Sequence, residues 1–196
     1  MAASEVALNY LIYLFTPPVG GDPWAMAMAG PPQDVDPGPI DASADIAKQK
    51  IVIALNALDA TLEVFPFKHE ELARFAEVTV EEAQRRWRHL ELNAPNEGTG
   101  IQVTLYDTWA TISVPYLHDG PAAEVILAKT WEYTRVLASA GGYFAFDRQL
   151  DQFLDLEADY RSFFDAYTAG EDESAELMAT VAMSGVRRPR AWWRFW

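Results

Sequence analysis

The chain predicts an α+β domain built on one antiparallel sheet with helices on one face, and three observations carry this expectation. Segment 101–116, IQVTLYDTWATISVPY, alternates apolar and polar residues on either side of a short polar break, as a hairpin with one buried face does. Segment 119–146 joins a helix with clear start and stop signals to an apolar extended run. Segment 7–15, ALNYLIYLF, is apolar at nearly every position, which suits a central strand.

In the hairpin, Ile101, Val103 and Leu105 share a face with Ala110, Ile112 and Val114, while Gln102, Thr104, Thr111 and Ser113 take the other. A two-residue turn at Asp107 and Thr108 sets Tyr106 opposite Trp109, Leu105 opposite Ala110, Val103 opposite Ile112 and Ile101 opposite Val114. A slip of one residue destroys this match. Asp-Thr lacks the glycine that a type I′ turn prefers, so a longer loop in another register is the competing arrangement. Tyr106 and Trp109 fall on the wet face as an aromatic pair that the core does not require, which makes them candidate partner-contact residues.

The remaining elements follow in order. After the first strand, segment 16–45 is a long loop rich in proline and glycine, with room for one helical turn at 24–28. Ser43 or Asp45 caps a helix to about Leu58, with Ile46, Ile53 and Leu58 among its inward residues. Residues 62–67 are extended and checked by Pro66; a short helix spans 70–77; Thr79 and Glu82 have capping-box spacing for a helix towards Leu90. LELN at 90–93 returns as a strand. Asp119, Gly120 and Pro121 open the best-defined helix, with Ala123, Leu127, Thr130, Thr134 and Leu137 inward and Gly141-Gly142 at its end. A strand at 143–146, a return at 149–156 and a helix at 156–167 complete a domain over 1–168, and 169–196 is an acidic-to-basic tail. The order β-α-β-β-α-β, with a helical insertion before the second strand and the long loop after the first, is the split βαβ plan of the ferredoxin-like sandwich. Helices packed at one end of an antiparallel sheet in another order is the competing architecture.

Composition narrows the chemistry. With no cysteine, disulfides, thiol catalysis and cysteine-ligated metal centres are excluded, and a cytoplasmic location is expected. Segment 7–15 lacks the basic flank and cleavage pattern of a signal peptide and is too short to span a bilayer, which takes about 20 residues, so no membrane span is expected. The net charge is −14, and setting aside Arg187, Arg188, Arg190 and Arg194, which follow the last acidic residue, leaves −18 on the body. That charge disfavours nucleic acid and favours a basic protein partner, with plain solubility as the competing account.

Asp147, Asp151, Asp155, Glu157 and Asp159 lack calcium-loop spacing and read as a solvated rim. His69, His89 and His118 lie on separate elements without ligand spacing, so no metal or cofactor is expected. His118 with Asp119, at a strand end, is the one histidine retained as a partner-contact candidate. No phosphate loop or nucleophile elbow is present, and no catalytic residue is assigned. The tail ends RRPRAWWRFW, and Trp192, Trp193 and Trp196 join the candidates, either docked on the acidic body or offered to a partner.

The runs HLELNAPNEGTGIQVTLYDTWATISVPYLHDG and WEYTRVLASAGGYFAFDRQLDQFLDL resemble bacterial proteins in which a ferredoxin-like sheet ends with a helix, a Gly-Tyr strand and a Tyr-Asp-Pro-Gln-like turn. Here the turn is Phe146-Asp147-Arg148-Gln149, with arginine in the place of proline. The resemblance covers residues 10–15 and 90–156, and some of those proteins look like immunity proteins of polymorphic toxin systems. It implies a non-enzymatic protein that binds another protein, an immunity-type inhibitor in the sharpest form. A small-molecule-binding domain or enzyme with a pocket under the 16–45 loop is the alternative, and a structural component of a larger bacterial assembly the second.

Overall fold

Strand β1 (Asn9–Phe15) is an interior strand of the sheet. In the computed structural model, which describes residues 9–31 and 41–170, it lies between β5 (Trp109–Pro115) and β6 (Phe144–Asp147), antiparallel to both. The sheet continues through β4 (Gln102–Leu105), β3 (Leu90–Asn93) and β2 (Glu63–Val64) on one side and β7 (Gln152–Phe153) on the other. Seven antiparallel strands thus run in the order β2-β3-β4-β5-β1-β6-β7. The helices are α1 (Pro23–Ala29), α2 (Ala42–Leu58), α3 (His69–Ala76), α4 (Val80–Arg86), α5 (Gly120–Gly141) and α6 over 160–170.

The period of two in β1 divides the molecule. Tyr10, Ile12 and Leu14 point into the main core with Val103 and Ile112 of the sheet, Leu55 of α2, Leu127 of α5 and Phe163 of α6. Each such fully buried aliphatic side chain contributes roughly 1.5–3 kcal/mol. Phe15 points the other way, into a second and smaller core with Ala27, Trp109 and Phe146, against which Tyr13, Met26, Tyr106 and Phe153 pack. The helices are therefore not confined to one face: α1, from within the proline-rich loop, covers the far side of the sheet at the hairpin end. It forms there because Asp22 caps it, accepting from the Trp24 N–H at 2.9 Å, and Pro23 opens it.

The hairpin register is the expected one, with Leu105 opposite Ala110, Val103 opposite Ile112 and the Tyr106 N–H donating to the Trp109 carbonyl at 2.8 Å. Its turn has a different basis. Neither Asp107 nor Thr108 has a positive φ, so it is neither a type I′ nor a type II′ turn. The Asp107 carboxylate instead pairs with Lys48 Nζ at 3.1 Å and with Arg88, which holds the turn from outside.

Three local expectations are corrected. Asp41 rather than Ser43 or Asp45 caps α2: its carboxylate accepts from both the N–H and the hydroxyl of Ser43, at 2.8 Å each. The helix also turns a different side inward, burying Ala44, Lys48, Ile51, Val52 and Leu55, while Ile46, Ile53 and Leu58 are exposed. Asp119 precedes α5 without a side-chain cap, although Ala123, Leu127, Thr130, Thr134 and Leu137 are buried as expected and Gly142 closes the helix in the left-handed region. Thr79 caps α4 as expected, accepting from the Glu82 N–H at 3.1 Å. Thr79→Ala is expected to lower stability by about 1 kcal/mol, and an unchanged denaturation midpoint would contradict that role.

Candidate functional site

Among the described residues, four polar groupings have the residue types of chemistry, and each is hydrogen-bonded within the fold. At the hairpin end, Lys48 is 2% exposed and spends its ammonium on the Arg88 carbonyl at 3.0 Å, on Asp107 at 3.1 Å and on Asp45 at 2.9 Å. An ammonium has three protons to donate, so this lysine has none left for a substrate. Beside it, His89 Nε2 lies 3.3 Å from Glu91 Oε1, with the His89 ring packed between Phe67 and Tyr106. Burial, aided by the Glu91 charge, pushes the Tyr106 hydroxyl above its ordinary range.

The second cluster joins three elements. Asp59, at the end of α2, accepts from Tyr133 of α5 and from Thr61, and pairs with Lys129 at 2.6 Å; Lys129 in turn reaches Glu97 in the β3–β4 loop. Burial opposes the Asp59 charge, but the hydrogen bonds from Lys129, Thr61 and Tyr133 outweigh it and hold the carboxyl well below the usual carboxylate range. Its stabilising contribution is thus present above about pH 4 and is lost as pH falls through the lowered value.

The third lies in the core. Asp147 is fully buried; one carboxylate oxygen accepts from the Tyr10 hydroxyl, the other from the N–H groups of Gln149 at 2.9 Å and Leu150 at 3.0 Å. Burial pushes its carboxyl above the ordinary range, opposed by the hydrogen bonds from Tyr10, Leu150 and Gln149. The turn it organises is sewn to β1, since the Leu11 N–H donates to Gln149 Oε1 at 3.0 Å and the Arg148 N–H to the Leu11 carbonyl at 3.2 Å. The fourth is His118, whose Nε2 lies 2.6 Å from the Thr99 carbonyl and ties the β3–β4 loop to the end of β5. Gly100 in that loop has φ +66°, and a Cβ there would meet the Pro115 ring at 2.6 Å, so the close approach needs glycine.

The expected contact residues are dispersed by this arrangement. Tyr106 and Trp109 sit at one end of β5, and Trp109 is buried, stacked on Phe15 with ring centres 4.5 Å apart. His118 and Asp119 lie beyond the other end of the same strand, about 20 Å away for seven residues. Trp192, Trp193 and Trp196 fall outside the described residues. The described part of the 16–45 loop packs onto the sheet, with Ala27 of that loop clustered with Phe15, Trp109 and Phe146. Among the described residues no group of three or more His, Cys, Asp or Glu is placed to hold a metal ion, and no helix is long and apolar enough to cross a membrane.

The surface that stands out is one that sequence reading assigned to the interior. Ile46 is 59% exposed and Ile53 69%, two turns apart on α2, with Leu58 exposed at the end of the same helix. Beside this stripe a groove of about 520 Å³ opens between α2 and α5, lined by Ala54, Glu132, Arg135, Val136, Ser139 and Ala140. The signal that finds it is that the isoleucines of α2 are spread around the helix: in ASADIAKQKIVIALNAL, burying Ile51 with Val52 and Leu55 leaves Ile46 and Ile53 outside.

Comparison with protein-family models, with curated proteins and with solved structures finds no match to this chain.

Proposed function

We propose that this chain is a protein-binding protein that receives an apolar partner segment along the outward face of α2 and the α2–α5 groove. One observation carries the reading: on the outward face of α2, among Gln49, Lys50 and Asn56, Ile46 and Ile53 are 59% and 69% exposed, two turns apart beside the groove. Large aliphatic side chains left in water beside a groove between two packed helices, where Ala54, Val136 and Ala140 are among the lining residues, suit the apolar face of another helix. Glu132 and Arg135 supply charges of both signs at the groove, which favours orientation over bulk attraction. The sharper reading, an immunity-type inhibitor working in the cytoplasm, is supported by the acidic body and by the resemblance of the hairpin and its following helix. The ferredoxin-like reading is supported by the adjacent strands β4-β5-β1-β6, with α2 and α5 as the two crossovers; β2, β3, β7, α1, α3, α4 and α6 are additions to that plan.

The test is a pair of pull-downs from the native host, one with the wild-type chain and one with Ile46→Glu/Ile53→Glu. Because both side chains are exposed, the double variant is expected to keep its unfolding midpoint, each change being within about 0.5 kcal/mol, while binding of the captured partner falls by tenfold or more. Capture of the same partner at equal yield by both proteins sinks the reading. Co-expression with a toxic neighbour decides the sharper form, in which the wild type protects and the double variant does not.

A further inference from the structure

A second apolar surface lies on the opposite side of the sheet, around β7. Trp24 of α1 is 47% exposed and Phe144 of β6 54%. Phe153 of β7 lies between them, with ring centres 6.3 Å from Trp24 and 6.2 Å from Phe144. Met28, one turn beyond Trp24, is exposed as well. The three rings therefore form a continuous aromatic ladder at the edge of the sheet, where, among the described residues, β7 has no further strand beside it. Carboxylates flank it: Asp22 begins α1, and Asp151 and Asp155 stand on either side of β7, all three exposed. Arg148, between β6 and β7, is paired with Asp151 at 2.6 Å. An aromatic strip with an acidic border is complementary to a peptide that carries arginines and aromatic rings together, because each ring has both a stacking partner and a cation within reach.

We propose that this patch is the docking site of the chain's own C-terminal segment, Arg187 to Trp196. That segment holds Arg187, Arg188, Arg190 and Arg194 interleaved with Trp192, Trp193, Phe195 and Trp196, the composition that the patch calls for, and lies outside the described residues. The reach is sufficient. The described chain ends at Gly170, beside Tyr116 at the far end of β5; the roughly 17 residues from there to Arg187 extend up to about 55 Å. Crossing from β5 to β7 covers about 15 Å, and the length of β5 adds about 20 Å. Docking in this way lays the positive end of the chain on a body of charge −18, the −14 total less the four arginines, so the attraction is long-ranged and salt-sensitive. The surface is separate from the α2–α5 groove, on the other face of the sheet, and the inference stands whether or not that groove binds a partner.

Photo-crosslinking of the full chain tests it, with benzoyl-phenylalanine in place of Phe195 and the crosslinked peptides mapped by mass spectrometry. Crosslinks within one chain to residues 22–28 and 144–153 are expected, weakened several-fold in about 1 M salt, where the screening length is about 3 Å, and again by Trp24→Ala/Phe144→Ala. Both substituted side chains are half-exposed, so the double variant is checked for an unchanged unfolding midpoint before its yield is compared. Crosslinks to α2 or α5, crosslinks between two chains, or a yield no higher than in denaturant overturns the proposal.

Discussion

Asp147→Ala is expected to lower stability by about 3–5 kcal/mol. The alanine leaves two turn N–H groups and the Tyr10 hydroxyl without their acceptor inside the core, and each buried orphan costs about 1–3 kcal/mol. Asp147→Asn behaves differently, because its amide oxygen keeps both N–H bonds and its charge is always zero. The aspartate has a folded-state pKa above the ordinary value of about 3.9. Its favourable contribution is complete below that ordinary value and is lost as pH rises through the raised one, since the folded state then gives up a proton it had held more tightly than the unfolded chain. Denaturant titrations from about pH 4 to 8 are therefore expected to show the wild type losing stability relative to Asp147→Asn as pH rises. A constant difference between the two proteins across that range would contradict the assignment.

Lys48→Met is the second large effect, at about 3 kcal/mol or a fall of roughly 10 °C in Tm for a chain of this size. Methionine fills the space of the lysine stem, but the Arg88 carbonyl loses its donor and Asp107 loses one of its two cations. The hairpin turn has no glycine to hold its shape, so the loss falls on the Tyr106–Trp109 end of the sheet; amide exchange there should rise more than in β1. Asp45→Asn is the control. Asp45 contacts the same ammonium but is 54% exposed, and an exposed ion pair contributes at most about 1 kcal/mol. If Asp45→Asn costs as much as Lys48→Met, the turn is not what the lysine supports.

These two residues also mark where sequence reading stops. The hairpin register was legible because every apolar residue of 101–116 has one partner that keeps it buried, and α5 was legible because its inward positions recur at helical spacing between a proline start and a glycine end. For α2 the pattern is ambiguous: its isoleucines do not share one narrow face, and a lysine is a poor candidate for the interior unless one knows that Asp107, about 60 residues later, comes to meet it. The same holds for Asp147, whose partner Tyr10 is 137 positions away. Trp109 was assigned to a wet face because α1 was foreseen only as one helical turn in a proline-rich loop, with no indication that Ala27 would cover the ring. The surface proposed for a partner was hidden by that ambiguity, since the residues assigned inward on α2 are those that point out.

The interior place of β1, between β5 and β6, has a consequence for how the chain is made. It emerges from the ribosome before every other described element, but its neighbours β5 and β6 follow roughly 100 and 130 residues later. At about 5–20 residues per second, an apolar strand waits on the order of 5–20 s before its first partner exists. The pairing that closes the sheet also spans most of the chain, a topology that folds slowly. For that interval β1 is a ready substrate for a chaperone, and the sheet cannot assemble from its first strand outward: it has to be completed around a strand that was made first and is paired late.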